Sequence, residues 1–152
     1  MNRIKLFLIV LASLSAGVAL GAYLFSDTRP RPFLSVHNCE GNCFQPNELV
    51  GLLASAGIQR FSVLLPGVVK ETDKTIVIEQ PATHTGVHYL VFPKKDIRNP
   101  ADLSDSDREY LVDLFAVMGE IIRERHLTDY QIMANGPGYQ TVAYLHFHLV
   151  AR

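Results

Sequence analysis

The chain has 152 residues, of which 14 are basic and 15 acidic, and its formal net charge is −1. This length is typical of one domain, and the near-neutral charge argues against a general nucleic-acid-binding protein. The charges are unevenly placed, because Arg3 and Lys5 precede an uncharged run from Leu6 to Phe25, and no acidic residue occurs before Asp27. Residues 27–152 therefore carry a net charge of −3, which indicates a mildly acidic domain behind an apolar N-terminal segment.

The apolar run, residues 6–25, is long enough to cross a membrane as a helix of about 30 Å. We expect residues 1–26 to be an uncleaved single-pass anchor, because the run continues beyond Ala19 and Gly21, the small residues that a cleavage site would need. A signal peptide that is removed, giving a secreted protein, is the alternative. The N-terminal basic residues slightly favour a domain on the outer, periplasmic or extracytoplasmic side.

Residues 27–46 are predicted to be a linker. Alternating arginine and proline in residues 29–32 favour an extended, semi-stiff spacer that holds the domain off the membrane. Cys39 and Cys43 flank a Gly-Asn turn, and we expect them to form a disulfide in an oxidising compartment. Two free thiols, or half of a zinc site with His37, are the alternatives.

Residues 47–152 have the pattern of an α+β domain. Asn47 is expected to cap a short helix that stops near Gly57 and has one apolar face: Leu49, Val50, Leu53 and Ala56. Strands are predicted over residues 62–69, 75–79, 88–92, 130–134 and 141–151, with turns at 81–86 and 135–138. Short turns between strands favour an antiparallel sheet.

The clearest predicted element is a long helix from Ser104 or Ser106 to about His126. Ser106 and Glu109 have the spacing of a capping box at its start. The apolar face of this helix is expected to pack in the core: Leu111, Leu114, Phe115, Met118 and Ile121 or Ile122.

The last predicted strand carries most of the candidate chemistry. Alternate residues of a strand share a face, so Tyr144, His146 and His148 would lie on one side, opposite an apolar face. A neutral imidazole can attack phosphorus while a protonated neighbour supplies charge or a proton. The turn at residues 135–138 supplies backbone donors for a phosphate. Two ordinary surface histidines, or a metal pair with only two protein ligands, are the alternatives.

This segment resembles the histidine-triad (HIT) family of nucleotide hydrolases and transferases. Residues 140–148, Gln-Thr-Val-Ala-Tyr-Leu-His-Phe-His, are similar to the family's Gln-Ser/Thr-Val followed by His-x-His-x-His, and residues 88–94 are similar to its His-x-Leu-Val-x-Pro-Lys. The resemblance covers about residues 75–152. It implies a HIT-like antiparallel sheet with one long helix and a short N-terminal helix, a small nucleotide ligand, often a homodimer, and no cofactor.

The resemblance also implies roles for the matching residues. His146 would attack the α-phosphate and form a nucleotidyl-histidine, His148 would assist it, and His88 would lie close by. The first triad position is Tyr144, whose phenol can hydrogen-bond but cannot carry a positive charge, and Asp96 stands where the family often has histidine. The remaining ligand contacts would come from Asn135, Gln140, Thr141 and Tyr144.

Three functions follow from these residues. The leading hypothesis is a membrane-tethered nucleotidyl hydrolase or transferase that acts on a nucleoside phosphate ester, anhydride or phosphoramidate. A variant of it would cleave a nucleotide-linked lipid such as CDP-diacylglycerol, as membrane-bound relatives do. The second hypothesis is a catalytically weak domain that binds nucleotides or a protein, which Tyr144 favours. The third is a metal-binding or structural surface domain that uses His146 and His148.

Overall fold

The computed structural model describes residues 2–34, 43–81 and 86–152. It has three helices, α1 (Arg3–Phe25), α2 (Pro46–Arg60) and α3 (Arg108–Glu124). Its five strands are β1 (Val68–Glu71), β2 (Thr75–Glu79), β3 (Val87–Pro93), β4 (Tyr130–Ala134) and β5 (Phe147–Ala151). They form one antiparallel sheet in the order β1-β2-β3-β5-β4, which confirms the predicted α+β class.

The sheet is covered on both faces. On one face, α3 packs against β2, β3 and β5 through a buried apolar cluster: Val77, Tyr89, Val91, Leu114, Val117, Met118, Ile121 and Leu149. The opposite face carries a smaller cluster formed by Ile58 of α2 with Ile76, Phe92 and Tyr144. Strand alternation therefore separates the α3 side from the side that carries the candidate site.

α3 begins later than predicted, after a 3₁₀ turn at Asp105–Asp107. The capping box uses Ser104 and Asp107, so the predicted pair Ser106 and Glu109 is wrong. Asp107 is buried, which opposes its ionisation, but hydrogen bonds from Lys95 and Ser104 outweigh this and hold its pKa at about 2. The charged Asp107, which accepts two hydrogen bonds from Ser104 and pairs with Lys95, fixes the start of α3.

α2 is longer than predicted and its buried face differs from the predicted one. Its N-cap is Gln45 rather than Asn47, Pro46 occupies the first turn, and the helix continues past Gly57 to Arg60. The buried residues are Glu48, Gly51, Ser55, Ala56 and Ile58, whereas Val50 and Leu53 are exposed. Ion pairs of Glu48 with Arg31 and Arg98 decide which face of the helix is buried, and they outweigh its apolar pattern.

The segment that follows α1 is not a free spacer. The side chain of Arg31 is completely buried, and its guanidinium donates to Asp96, to Glu48 and to the carbonyl of Ala143. The backbone N–H of Arg29 donates to the second carboxylate oxygen of Asp96 at 2.6 Å. The predicted semi-stiff spacer is therefore wrong for these residues, because buried ion pairs hold them against the domain.

Two predicted strands are shorter in the structure. Residues 62–64 form a 3₁₀ turn, and β1 begins only after Gly67, which has a positive φ of 76°. The last strand begins at Phe147 rather than Thr141, because residues 143 and 145 bond to groups outside the sheet: the N–H of Ala143 to the carbonyl of Asn47, and the N–H of Leu145 to the carbonyl of Ile97.

α1 has 23 residues, an 18-residue window within it has a mean hydropathy of 2.1, and the helix is long and apolar enough to cross a membrane. Most of its apolar side chains are exposed. Three other predictions involve residues outside the described ranges. These are the turn at 81–86, in which 82–85 are not described, the disulfide, which needs Cys39, and the zinc half-site with His37. The Cys39–Cys43 disulfide stays a prediction.

Candidate functional site

Two histidines from neighbouring strands form the centre of the site. β3 pairs with β5 so that Leu90 lies opposite His148, which places His88 and His148 on the sheet face away from α3. Nε2 of His88 lies 2.9 Å from Nδ1 of His148, and the two rings stack with centroids 5.2 Å apart. The two imidazoles share one hydrogen bond across the strand boundary.

Asn135, in the turn after β4, extends this arrangement. Its side-chain Nδ2 lies 3.4 Å from Nε2 of His148. An amide N–H only donates, so Nε2 of His148 accepts, and the proton of a neutral His148 is then on Nδ1 and directed to His88. A chain of hydrogen bonds therefore runs from Asn135 through His148 to His88 and fixes the orientation of the central ring.

His146 lies beside this chain, just before β5 begins. Its Nδ1 is 2.7 Å from the carbonyl oxygen of Tyr144. A carbonyl only accepts, so Nδ1 carries the proton and Nε2 of the neutral ring keeps a free lone pair. The ring centroid lies 4.9 Å from that of His148 and 5.2 Å from that of Phe92. The local geometry thus leaves His146 with one basic, nucleophilic nitrogen.

The surroundings favour the neutral form of both His146 and His148. Burial lowers the pKa of His146, the charge of His88 lowers it further, and the hydrogen bond to the Tyr144 carbonyl only partly opposes this. Burial also lowers the pKa of His148, with repulsion from His146 and His88 in the same direction. A neutral imidazole is the nucleophilic form, so the site favours attack on an electrophile near neutral pH.

The irregular segment 141–146 is positioned by three other parts of the chain. In addition to the backbone bonds with Asn47 and Ile97, the Ala143 carbonyl accepts from buried Arg31. Gly51 of α2 lies so close that a Cβ atom there would be 2.6 Å from the Ala143 oxygen. These contacts determine where the carbonyl of Tyr144, and with it His146, is located.

Two of the predicted ligand residues have side chains that bond to the backbone of other segments. Tyr144 is completely buried and its hydroxyl donates to the carbonyl of Pro93 at 2.7 Å, so in this structure it is not available to a ligand. Gln140 is buried and donates to the carbonyl of Arg98 at 3.1 Å, while Thr141 is exposed. Residues 144 and 146 precede β5, so the predicted strand does not include them. Their side chains still lie on the same sheet face as His148, with Tyr144 in the cluster with Ile76 and Phe92 and the His146 ring beside that of His148.

Four residues that shape the site are not among the predicted site residues: Phe92, Asp96, Arg31 and Gly51. Phe92 was detectable, because residues 88, 90 and 92 alternate onto one face of β3. Asp96 was noted only as a departure from the family pattern, and it is now explained as the partner of Arg31. An arginine between prolines, and a glycine in a helix, carry no local signal of a tertiary contact, so neither Arg31 nor Gly51 was predictable.

Within residues 2–34, 43–81 and 86–152, no group of three or more His, Cys, Asp or Glu side chains has the arrangement of a metal site. Among the described residues, the histidines contact one another, an amide, a carbonyl and an aromatic ring. This arrangement is suited to proton transfer and nucleophilic attack.

Known proteins share this fold. The Legionella pneumophila HIT family hydrolase is 25% identical, with a TM-score of 0.54 over 60% of this chain and 87% of that one. A Bartonella henselae Hit-like protein involved in cell-cycle regulation is 28% identical, with a TM-score of 0.52 over 64% and 77% of the two chains. The Clostridium thermocellum HIT family hydrolase, 22% identical, matches in fold with a TM-score of 0.57 over 78% and 93%.

A family model described as "Scavenger mRNA decapping enzyme C-term binding" matches residues 66–152, more than half of the chain. This range includes the whole sheet, α3 and the histidine cluster. The chain therefore belongs to the family of that description, and its domain has the HIT-like fold.

Proposed function

We propose that this protein is a membrane-tethered hydrolase or transferase that cleaves a nucleoside phosphate ester, anhydride or phosphoramidate at the α-phosphorus. The observation that carries the proposal is the hydrogen bond from Nδ1 of His146 to the Tyr144 carbonyl, because it leaves Nε2 as the nucleophile. The HIT-like fold and the hydrolase names of similar structures support a nucleotide substrate.

The reaction has two steps. Nε2 of His146 attacks the α-phosphorus, an N–P bond forms, and the bond from phosphorus to the leaving group breaks. Water, or an acceptor hydroxyl in a transferase, then attacks phosphorus and the N–P bond breaks. The leaving group takes up one proton and the second nucleophile releases one, so the protons balance. His148 and His88, joined at 2.9 Å, are the groups positioned to carry that proton.

The test is turnover by the full chain in detergent micelles, with a nucleoside 5′-phosphoramidate and a dinucleoside polyphosphate as substrates. We expect His146→Ala to abolish turnover without lowering the melting temperature by more than a few degrees. His126→Asn is the matched control, since His126 is exposed, has a positive φ of 53° that asparagine tolerates, and lies outside the site.

Mass spectrometry of the quenched reaction checks the nucleophile directly. A nucleotidyl adduct on His146 is the expected result. An adduct on another residue, or full turnover by His146→Ala, would contradict the assignment.

A second function, nucleotide or protein binding without efficient turnover, is favoured by Tyr144. In the proposed alignment with the triad this phenol replaces the first histidine, and it is buried against Pro93 rather than directed to the histidines. If nucleotides raise the melting temperature of the full chain but are not cleaved, binding is its function.

Cleavage of CDP-diacylglycerol remains a variant of the enzyme hypothesis. The anchor with an outward-facing domain and the homodimer also remain predictions. Exposed apolar residues on edge strand β4 are consistent with the homodimer: Tyr130, Ile132 and Met133.

A further inference from the structure

A row of apolar side chains on α2 and the turn after it lies in solvent. We call it the apolar stripe and define it by five residues with their exposed fractions: Val50 45%, Leu53 55%, Phe61 43%, Val63 90% and Leu64 76%. Residues 49–69 contain a single charged residue, Arg60. Exposed single apolar residues are ordinary, but five of them within 15 residues of a nearly uncharged segment indicate a contact surface.

The orientation of α2 makes this row a consequence of specific contacts. The inward face is held by Glu48, which pairs with Arg31 and Arg98, and by the close approach of Gly51 to Ala143. Rotating the helix to bury Val50 and Leu53 would remove Glu48, one of the two carboxylate partners of the buried Arg31 guanidinium. The fold therefore fixes the apolar stripe on the outside, where each of its residues is 43–90% exposed.

The apolar stripe lies next to the end of the proposed membrane anchor. Arg60, the last residue of α2, donates to the hydroxyl of Ser26 at 2.7 Å and to the carboxylate of Asp27. Its guanidinium also lies 4.8 Å from the ring centroid of Tyr23 in the last turns of α1. Phe61 follows Arg60 directly, so the stripe begins at the level where α1 would leave the bilayer.

We propose that the apolar stripe docks on the surface of the phospholipid bilayer that holds α1, with Phe61, Val63 and Leu64 inserted among the acyl chains nearest the headgroups. This rests on the proposed tether. Interfacial segments bind in this way when an apolar face lies in the membrane plane, and aromatic residues such as Tyr23 are typical at that depth. The domain is then held against the membrane by two contacts, the anchor and the stripe.

The absence of tryptophan from the sequence gives a direct test. Single reporters Leu64→Trp and Leu53→Trp are made in the full chain and reconstituted in phosphatidylcholine vesicles, with or without bromine on the acyl chains. We expect the Leu64→Trp reporter to lose about half of its emission in brominated vesicles and to be shielded from aqueous iodide. Leu53→Trp should show a smaller loss in the same direction.

Two further reporters distinguish docking of the apolar stripe from anchoring of the chain by α1. Val112→Trp is the matched control, because Val112 is 63% exposed on α3, on the opposite side of the sheet, and it should stay open to iodide and unquenched by bromine. Val10→Trp reports on α1. Bromine quenching at Val10→Trp but not at Leu64→Trp would overturn docking and leave the tether intact. Quenching at Leu64→Trp alone would support docking without the tether, and quenching at neither would overturn both.

The Leu64→Trp reporter would also detect a protein bound to the apolar stripe in place of lipid. If the Leu64→Trp reporter is shielded from iodide and from brominated lipid alike, protein covers the stripe, either a second copy of the chain or another partner. That result would overturn docking on lipid.

Discussion

At the scale of single residues, a nearby backbone carbonyl determines which nitrogen of His146 carries the proton. The Tyr144 carbonyl, two residues earlier, accepts from Nδ1 and thereby selects the tautomer with a free Nε2. A strand with regular alternation would direct that carbonyl to a neighbouring strand. The irregular course of residues 141–146 is therefore what makes His146 chemically different from an ordinary strand histidine.

This environment predicts the pH dependence of the proposed reaction. Because burial and His88 lower the pKa of His146, the nucleophile stays neutral below the ordinary histidine value, and the acid limb of the kcat/KM profile should lie below about pH 6.5. His88→Asn removes the charge that lowers this pKa and should move the limb to higher pH. Both profiles are measured with the phosphoramidate substrate. An acid limb above pH 6.5 in the unmodified protein would contradict this assignment.

The same lowered pKa also affects stability. The unfolded chain binds a proton at pH values where folded His146 does not, so this contribution to stability is present above about pH 6.5 and is lost as pH falls through the lowered pKa. His148 acts in the same direction.

At the scale of elements, the contact between α2 and the segment that precedes β5 depends on one glycine. A Cβ atom at Gly51 would be 2.6 Å from the Ala143 oxygen and 2.9 Å from a guanidinium nitrogen of Arg31, whereas one at Gly57 of the same helix would meet nothing within 4 Å. Helix position is therefore coupled to the position of His146 through a backbone-to-backbone approach.

We expect Gly51→Ala to destabilise the domain by about 1–3 kcal/mol and to reduce kcat, because α2 and the Ala143 segment must separate. Gly57→Ala is the control and should raise stability by up to about 1 kcal/mol, since alanine favours the helix and fits the space. Thermal melting of the full chain in micelles and turnover are measured for both. Equal effects of the two substitutions would show that the close approach does not matter.

At the scale of the whole molecule, Arg31 connects the N-terminal segment to the side of the domain that carries the histidine cluster. It reaches Glu48 on α2, Asp96 after β3 and Ala143 before β5. The exit from α1 is therefore part of the packed structure, and the distance between the end of α1 and the histidine cluster is set by these contacts rather than by a spacer.

Arg31→Ala is expected to cost about 3–5 kcal/mol of unfolding free energy, because Asp96 would be left charged and buried without its cation. Arg29→Ala should change it by no more than about 0.5 kcal/mol, since only the backbone N–H of Arg29 is used. The melting temperatures of the two variants and the unmodified chain test this. A small effect at residue 31 would show that the ion pairs do not hold the segment.

The sequence by itself determined the local features of this protein. Apolar composition predicted α1, short apolar runs predicted β2 and β3, and helical periodicity predicted α3. The resemblance of residues 88–94 and 140–148 to the HIT pattern predicted the histidine site. These signals are local, because strand and helix periods are properties of neighbouring residues.

Only the tertiary structure decided which face of α2 is buried, where β5 begins, and how the end of α1 joins the domain. Each of these depends on a buried charge or a backbone group whose partner is distant in the chain: Glu48 and Asp96 with Arg31, and Ala143 with Asn47. A buried charge or backbone N–H must find a partner, and that requirement outweighed the propensity of the residues around it.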